Sequence, residues 1–223
     1  MMLTHKARYV LFDMDGVLLD TENFYTEATQ QIVARWGKTF DWSLKQNMVG
    51  RPAIESARYL VDALDLPITP EEYLTEREDG LRTRMPQAQP MPGAVALTRQ
   101  LQDRGVPMAV ATSSSREFFA LKTTHHGDWF ARFDTIIVGD DPRVAHGKPA
   151  PDIFLVAAEA LGANPQDCLV VEDSPAGVEA AHAAQMQVLA VPYPGMNPER
   201  LQSADLLLES LEGVNAADLT LPA

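Results

Sequence analysis

Asp13 and Asp15 stand two residues apart in "VLFDMDGVLLDTE" (residues 10–22), at the end of an apolar run and with Gly16 directly behind them. Residues two apart on an extended chain face the same way, so the two carboxylates converge where the run leaves the core while Met14 points elsewhere. Gly16 lets the backbone turn sharply there without a Cβ penalty. Two carboxylates this close cannot both ionise without a large cost unless a cation is near, so they imply a bound metal, one raised pKa, or both. A D-x-D by itself is also a common solvated turn. Three further stretches shift the weighing. "ATSSS" (residues 111–115) offers the hydroxyls of Thr112 and Ser113, and its N–H groups, where a strand passes into a helix that Ser114 and Ser115 can cap. "VVEDSPAG" (residues 170–177) puts Glu172 and Asp173 at the end of another apolar run, and "HGKPAPD" (residues 146–152) holds Lys148 in a loop ahead of a helix. Each alone reads equally well as a cap, a solvated helix start or a surface lysine. Together, at one edge of one expected sheet, the four point to a site for a metal ion and a phosphate.

The elements that must position these groups follow from periodicity. Near-continuous apolar runs at residues 8–13, 107–112, 135–139, 168–172, 187–191 and 205–209 suit strands buried on both faces, as in a parallel sheet. Helical patterns lie between them: residues 92–105 carry Val95, Leu97 and Leu101 and stop at Gly105, and residues 150–162 open near Pro151 and close on Gly162. This order predicts an α/β fold, a Rossmann-like doubly wound parallel sheet, over residues 1–20 and 91–223. Residues 21–90 break the rhythm. Phe24, Ala28, Ile32 and Trp36 recur every fourth residue, Ile54, Ala57, Leu60, Val61 and Leu64 give "AIESARYLVDAL" a helical pattern too, and Thr69-Pro70-Glu71-Glu72 is a capped helix start. The expectation is a small all-helical domain inserted after the first strand, beside the strand ends where open α/β sheets bind ligands, and so placed to act as a lid.

Composition bounds the chemistry. With 223 residues, 46% of them hydrophobic, the chain can bury a substantial core. A net charge of −13 argues against nucleic acid as a partner, because such binding needs Lys and Arg to neutralise phosphates. Cys168, the single cysteine, lies in an apolar run and cannot form an intramolecular disulfide, which suits a cytoplasmic location. There is no apolar run of ~18 residues to suggest a membrane partner and no apolar h-region near residue 1. His125-His126 has no second ligand cluster, and the methionines are packing residues.

"FDMDGVLLDTE", "ATSSS", "GKPAPDIF" and "VVEDSPAGVEAA" resemble, in order and spacing, the four motifs of the haloacid-dehalogenase-like hydrolase superfamily in its phosphatase subset. "GDDPRVAHGKPAPDIF" and "GVEAAHAAQMQV" resemble most the pseudouridine-5′-phosphatases and related sugar phosphatases within it. The resemblance implies a Rossmann-like core with a helical cap, and a Mg²⁺-dependent phosphomonoesterase acting on a small phosphorylated metabolite, pseudouridine 5′-phosphate ahead of hexose and pentose phosphates and phosphoglycolate. It assigns Asp13 as nucleophile, forming an aspartyl-phosphate, and Asp15 as the acid that protonates the leaving oxygen and then activates water. Mg²⁺ would be held by the Asp13 side chain, the Asp15 carbonyl and Asp173, with Glu172 direct or through water. Thr112, Lys148 and the N–H groups of Met14, Asp15 and Ser113 would bind the phosphoryl oxygens. Glu22, Asn23, Tyr25 and Arg51 would read the substrate from the cap. Relatives of the β-phosphoglucomutase type carry a histidine where this chain has Tyr25, so a sugar phosphomutase is the lesser expectation. A third is a non-catalytic phosphometabolite-binding protein on the same fold.

Overall fold

The computed structural model describes residues 3–45, 47–48 and 53–221. The chain divides into two compact units, Met1–Asp20 with Gln89–Ala223, and Thr21–Ala88. In the first, six strands make one sheet: Tyr9–Phe12 (β1), Met108–Ala111 (β4), Thr135–Ile137 (β5), Cys168–Glu172 (β6), Gln187–Ala190 (β7) and Leu206–Leu207 (β8). Their order is β5-β4-β1-β6-β7-β8, and every pair is parallel. Leu19–Asp20 (β2) and Gln89–Pro90 (β3) form a two-residue antiparallel ribbon in the same unit. This is the Rossmann-like α/β architecture that the alternation of apolar runs and helical patterns predicts.

Every residue of β4, β6 and β7 is buried, as are Val10, Leu11 and Phe12 of β1, which is why these strands read as unbroken apolar runs rather than alternating ones. The sheet is flanked by Ala94–Asp103 (α5), Arg116–Lys122 (α6), Gly127–Phe130 (α7), Asp152–Ala160 (α8), Pro175–Ala183 (α9) and Ala216–Leu219 (α10), numbered after the four helices of the other unit. Their ends carry the signals that the sequence shows: Gly105 and Gly162 stand at φ +71 and +64 just beyond α5 and α8, and Ser115 caps α6 by accepting from the Phe118 N–H.

The second unit holds Glu22–Ala34 (α1), Trp42–Lys45 (α2), Ala53–Leu64 (α3) and Pro70–Arg82 (α4), with no strand among its described residues. Its core joins Ile32, Val33, Phe40, Ala57, Leu60, Val61, Leu66 and Tyr73. The Tyr73 hydroxyl is tied to Thr29 at 2.8 Å, so the buried polar end has its partner. Thr69 and Glu72 form the reciprocal capping box that starts α4. Among the described residues, no helix is long and apolar enough to cross a membrane.

Candidate active site

Three adjacent strands deliver their C-terminal ends to one place. Phe12, the last residue of β1, is in register with Val110 of β4 on one side and Val171 of β6 on the other. The residues that follow are therefore side by side: Asp13 after β1, Thr112 after β4, and Glu172 with Asp173 at the end of β6. The Asp13 N–H still donates to the Val171 carbonyl at 3.0 Å, so the carboxylate is fixed to the sheet rather than to a loose loop. The chain then folds back on itself, with the Met14 carbonyl accepting from the Leu18 and Leu19 N–H groups, both at 2.9 Å. Gly16, at φ +80, makes that fold possible, and a Cβ there would overlap the Asp173 carboxylate. The glycine is thus required twice, for its backbone angle and for the approach of Asp173.

Lys148 reaches in from the loop between β5 and α8. Its Nζ lies 2.5 Å from Asp13 Oδ1, 2.7 Å from Glu172 Oε1 and 3.3 Å from the Ala111 carbonyl, and its side chain is 7% exposed. The ammonium also sits 4.8 Å from the centre of the Phe154 ring. Glu172 is fully engaged in support: Oε2 accepts from the Asp173 and Ser174 N–H groups, each at 2.9 Å, and from the Ser174 hydroxyl at 3.0 Å. A Cβ at Gly177 of α9 would overlap this carboxylate, so the helix must be bare at that point to let Glu172 in.

The loop after β4 is shaped from the β5 side. The Gly139 N–H donates to the Ser114 carbonyl at 2.8 Å, and a Cβ at Gly139 would overlap the Ser113 carbonyl. Buried Thr112 accepts from the Ser114 N–H at 3.1 Å, while Ser113 is exposed. Asp15 is held by two donors: Lys122 Nζ at 2.5 Å from Oδ1 and the Ser114 hydroxyl at 2.9 Å from Oδ2. Lys122 escapes a reading of the sequence, where it is one lysine at the end of "FFALK"; its only signal is that it closes the helix opened by the serine-rich turn.

Electrostatics define what the cluster lacks. Burial pushes the Asp13 carboxyl up to about 7; Lys148 opposes the rise and the Glu172 and Asp15 charges add to it. Burial alone would lower the Lys148 ammonium, but the Asp13 and Glu172 carboxylates outweigh it and hold that group above its ordinary range. Acid and base alike hold their protons more tightly than usual, the acid chiefly because it is buried and the base because two carboxylates face it. Four carboxylates, Asp13, Asp15, Glu172 and Asp173, stand against the two ammonium groups of Lys122 and Lys148. The excess of acidic over basic groups in this cluster suits a divalent cation. Among the described residues, no group of three or more His, Cys, Asp or Glu side chains is arranged to cage a metal unaided. A cation here would draw on two carboxylates, a backbone carbonyl, water and phosphate oxygens, which is the habit of Mg²⁺ rather than of zinc or of fully caged calcium.

The residues expected to read the substrate belong to the helical unit. Glu22 pairs with Lys45 at 3.0 Å, Asn23 lines a groove of about 420 Å³ with Thr26, Glu27 and Gln30, and the Tyr25 ring lies 5.7 Å from the Arg77 guanidinium carbon. Arg51 lies outside the described residues.

A sequence profile described as "Hydrolase: haloacid dehalogenase-like hydrolase" matches residues 7–185. The chain belongs to the haloacid dehalogenase-like hydrolase family. It is 44% identical over 220 residues to the (DL)-glycerol-3-phosphatase 1, mitochondrial, of Arabidopsis thaliana, covering 96% of this chain and 74% of that one. It is 43% identical over 221 residues to a probable pseudouridine-5′-phosphatase of Drosophila melanogaster, covering 98% and 96%. A crystal structure of a HAD family hydrolase from Deinococcus radiodurans R1 with bound phosphate and sodium superposes with a TM-score of 0.79 at 28% identity, covering 98% of this chain and 99% of that one.

Proposed function

We propose that the chain is a Mg²⁺-dependent phosphatase that forms an aspartyl-phosphate on Asp13 and hydrolyses it with Asp15 as acid and base. It is a phosphoric monoester hydrolase acting on small phosphorylated metabolites. The observation that carries the mechanism is the junction of Asp13, Thr112, Lys148, Glu172 and Asp173 at three neighbouring strand ends, with the Lys148 ammonium bridging Asp13 and Glu172.

The Asp13 side chain, the Asp15 carbonyl and Asp173 would hold Mg²⁺; when bound, it supplies positive charge to the phosphoryl oxygens and lowers the pKa of nearby acids. Glu172, with both oxygens occupied by Lys148 and the Asp173–Ser174 turn, supports from behind. Asp13 attacks phosphorus in line, and as the bond to the leaving oxygen breaks, Asp15 passes it a proton. Water then attacks the phosphorus of the acyl phosphate while Asp15 takes its proton, which frees inorganic phosphate and restores Asp13. Lys148, Thr112 and the N–H groups of residues 14, 15 and 113 take the charge spread over the transferring oxygens.

The helical unit carries substrate choice in this reading, through Glu22, Asn23, Tyr25 and Arg51. The relatives are named for pseudouridine 5′-phosphate and for glycerol 3-phosphate. Both are phosphate esters of a primary alcohol next to further hydroxyls, and that shared chemistry is the substrate class we propose, with pseudouridine 5′-phosphate first. Tyr25 favours hydrolysis over transfer between sugar hydroxyls, because a phenol does not shuttle protons near neutral pH as an imidazole does.

The test is phosphate release from a panel of primary-alcohol phosphates, with and without Mg²⁺, ranked by kcat/KM. Asp173→Asn should demand a higher Mg²⁺ concentration and turn over more slowly, with partial rescue by excess metal. An unchanged Mg²⁺ requirement removes Asp173 from the metal site. Phosphate binding with no release from any member of the panel leaves only the binding-protein reading.

A further inference from the structure

We propose that Lys122 is a positioning residue, which with Ser114 clamps the Asp15 side chain in place for both proton transfers. The inference rests on the acid–base role given to Asp15 above. Lys122 closes α6 and is 0% exposed, yet its Nζ reaches Asp15 Oδ1 at 2.5 Å and Ser114 Oγ at 2.7 Å. The Ser114 hydroxyl in turn donates to Asp15 Oδ2 at 2.9 Å. The three groups form a closed triangle in which each oxygen of the carboxylate has its own donor.

Stability gives no reason for this arrangement. Withdrawing an ammonium from water costs several kcal/mol, and a buried ion pair is often no better for stability than apolar residues of the same volume. Geometry does give one. Asp15 stands on the turn that follows β1, beyond the sheet's own hydrogen bonds, and its side chain is 22% exposed. α6 starts directly after Ser114 and Ser115, so one short helix and the turn before it bring both donors to the two oxygens. A carboxyl that must first face the leaving oxygen and then water needs its rotamer fixed, and a misplacement of about 1 Å can cost about 100-fold in rate.

The experiment compares Lys122→Met and Ser114→Ala in the wild-type and Asp15→Asn backgrounds, using glycerol 3-phosphate and an aryl phosphate as substrates. In the wild-type background, Lys122→Met should lower kcat about 10- to 100-fold with KM held within about threefold, and Ser114→Ala should do the same to a smaller degree. In the Asp15→Asn background, neither should lower the residual aryl-phosphate turnover further, because the group they position is gone. An equal fall in both backgrounds overturns the proposal by showing independent action, as does a raised KM with kcat intact. Should Lys122→Met fail to fold, Ser114→Ala carries the comparison alone, and its silence in the wild-type background overturns the proposal. If Asp15→Asn itself keeps full glycerol 3-phosphate turnover, the acid–base reading of Asp15 is what fails.

Discussion

Asp13 and Asp15 are two residues apart and chemically alike, yet their surroundings differ, and the different roles proposed for them can be separated by measurement. Asp13 is buried, faces Lys148 and lies in line with β1; Asp15 is partly exposed and faces Lys122 and Ser114. Asp13→Asn keeps the shape but removes the proposed anionic nucleophile, so hydrolysis should vanish for every leaving group. Asp15→Asn removes the group proposed as proton donor and base. With an aryl phosphate, whose leaving group needs little protonation, the first step should survive and a phospho-enzyme should accumulate as a burst; with an alkyl phosphate there should be none. Equal loss on both substrates with no trapped phosphate would sink the division of labour. The acidic pair, Thr112, Glu172 and Asp173 stand out in the sequence because each lies where an apolar run meets a glycine or serine, and Lys148 because it sits between Gly147 and Pro149 ahead of a helix. Lys122 does not, since its partner Asp15 is 107 residues away and nothing local distinguishes a buried lysine from an exposed one.

Glycines act at the scale of elements, by letting one element come close to another. Gly177 lies within α9, where alanine would ordinarily add about 1 kcal/mol of helix stability. Here a Cβ would overlap the Glu172 carboxylate at the end of β6, a group that accepts from Lys148, two N–H groups and a hydroxyl. Displacing a buried acceptor from such partners costs about 1–3 kcal/mol, so the clash should outweigh the helix gain. Gly177→Ala should therefore lower the melting temperature and depress turnover through Lys148, although residue 177 is not among the groups proposed to touch substrate; a rise in melting temperature with full activity would show that α9 shifts freely. The strands and capped helices could be read in advance because burial on both faces and capping chemistry leave local signatures. β2 and β3 could not. Each is two residues long, and the Asp20–Gln89 pairing spans 69 positions, too short a run and too distant a partner for any periodicity to show.

At the scale of the molecule, that ribbon is where the helical unit leaves and rejoins the sheet-bearing one. Asp20 and Gln89 are direct antiparallel neighbours, the Met91 N–H donates to the Leu18 carbonyl at 2.8 Å, and the Tyr193 hydroxyl reaches Asp20 at 3.4 Å. The ends of the inserted segment are thus already held together by contacts inside the first unit. Residues 21–88 can be replaced by a two-residue Asn-Gly turn, the geometry that closes an antiparallel pair. The shortened chain keeps β1, β4 and β6, and with them Asp13, Asp15, Thr112, Lys148, Glu172 and Asp173. If the sheet-bearing unit performs the chemistry and the helical unit selects the substrate, this protein should fold, bind Mg²⁺ and cleave an aryl phosphate slowly. Its kcat/KM values for pseudouridine 5′-phosphate, glycerol 3-phosphate and hexose phosphates should converge. Preserved ranking among those substrates would place specificity in the sheet-bearing unit. Complete loss of aryl-phosphate cleavage in a folded, Mg²⁺-binding protein would mean that residues 21–88 contribute to the chemical step itself.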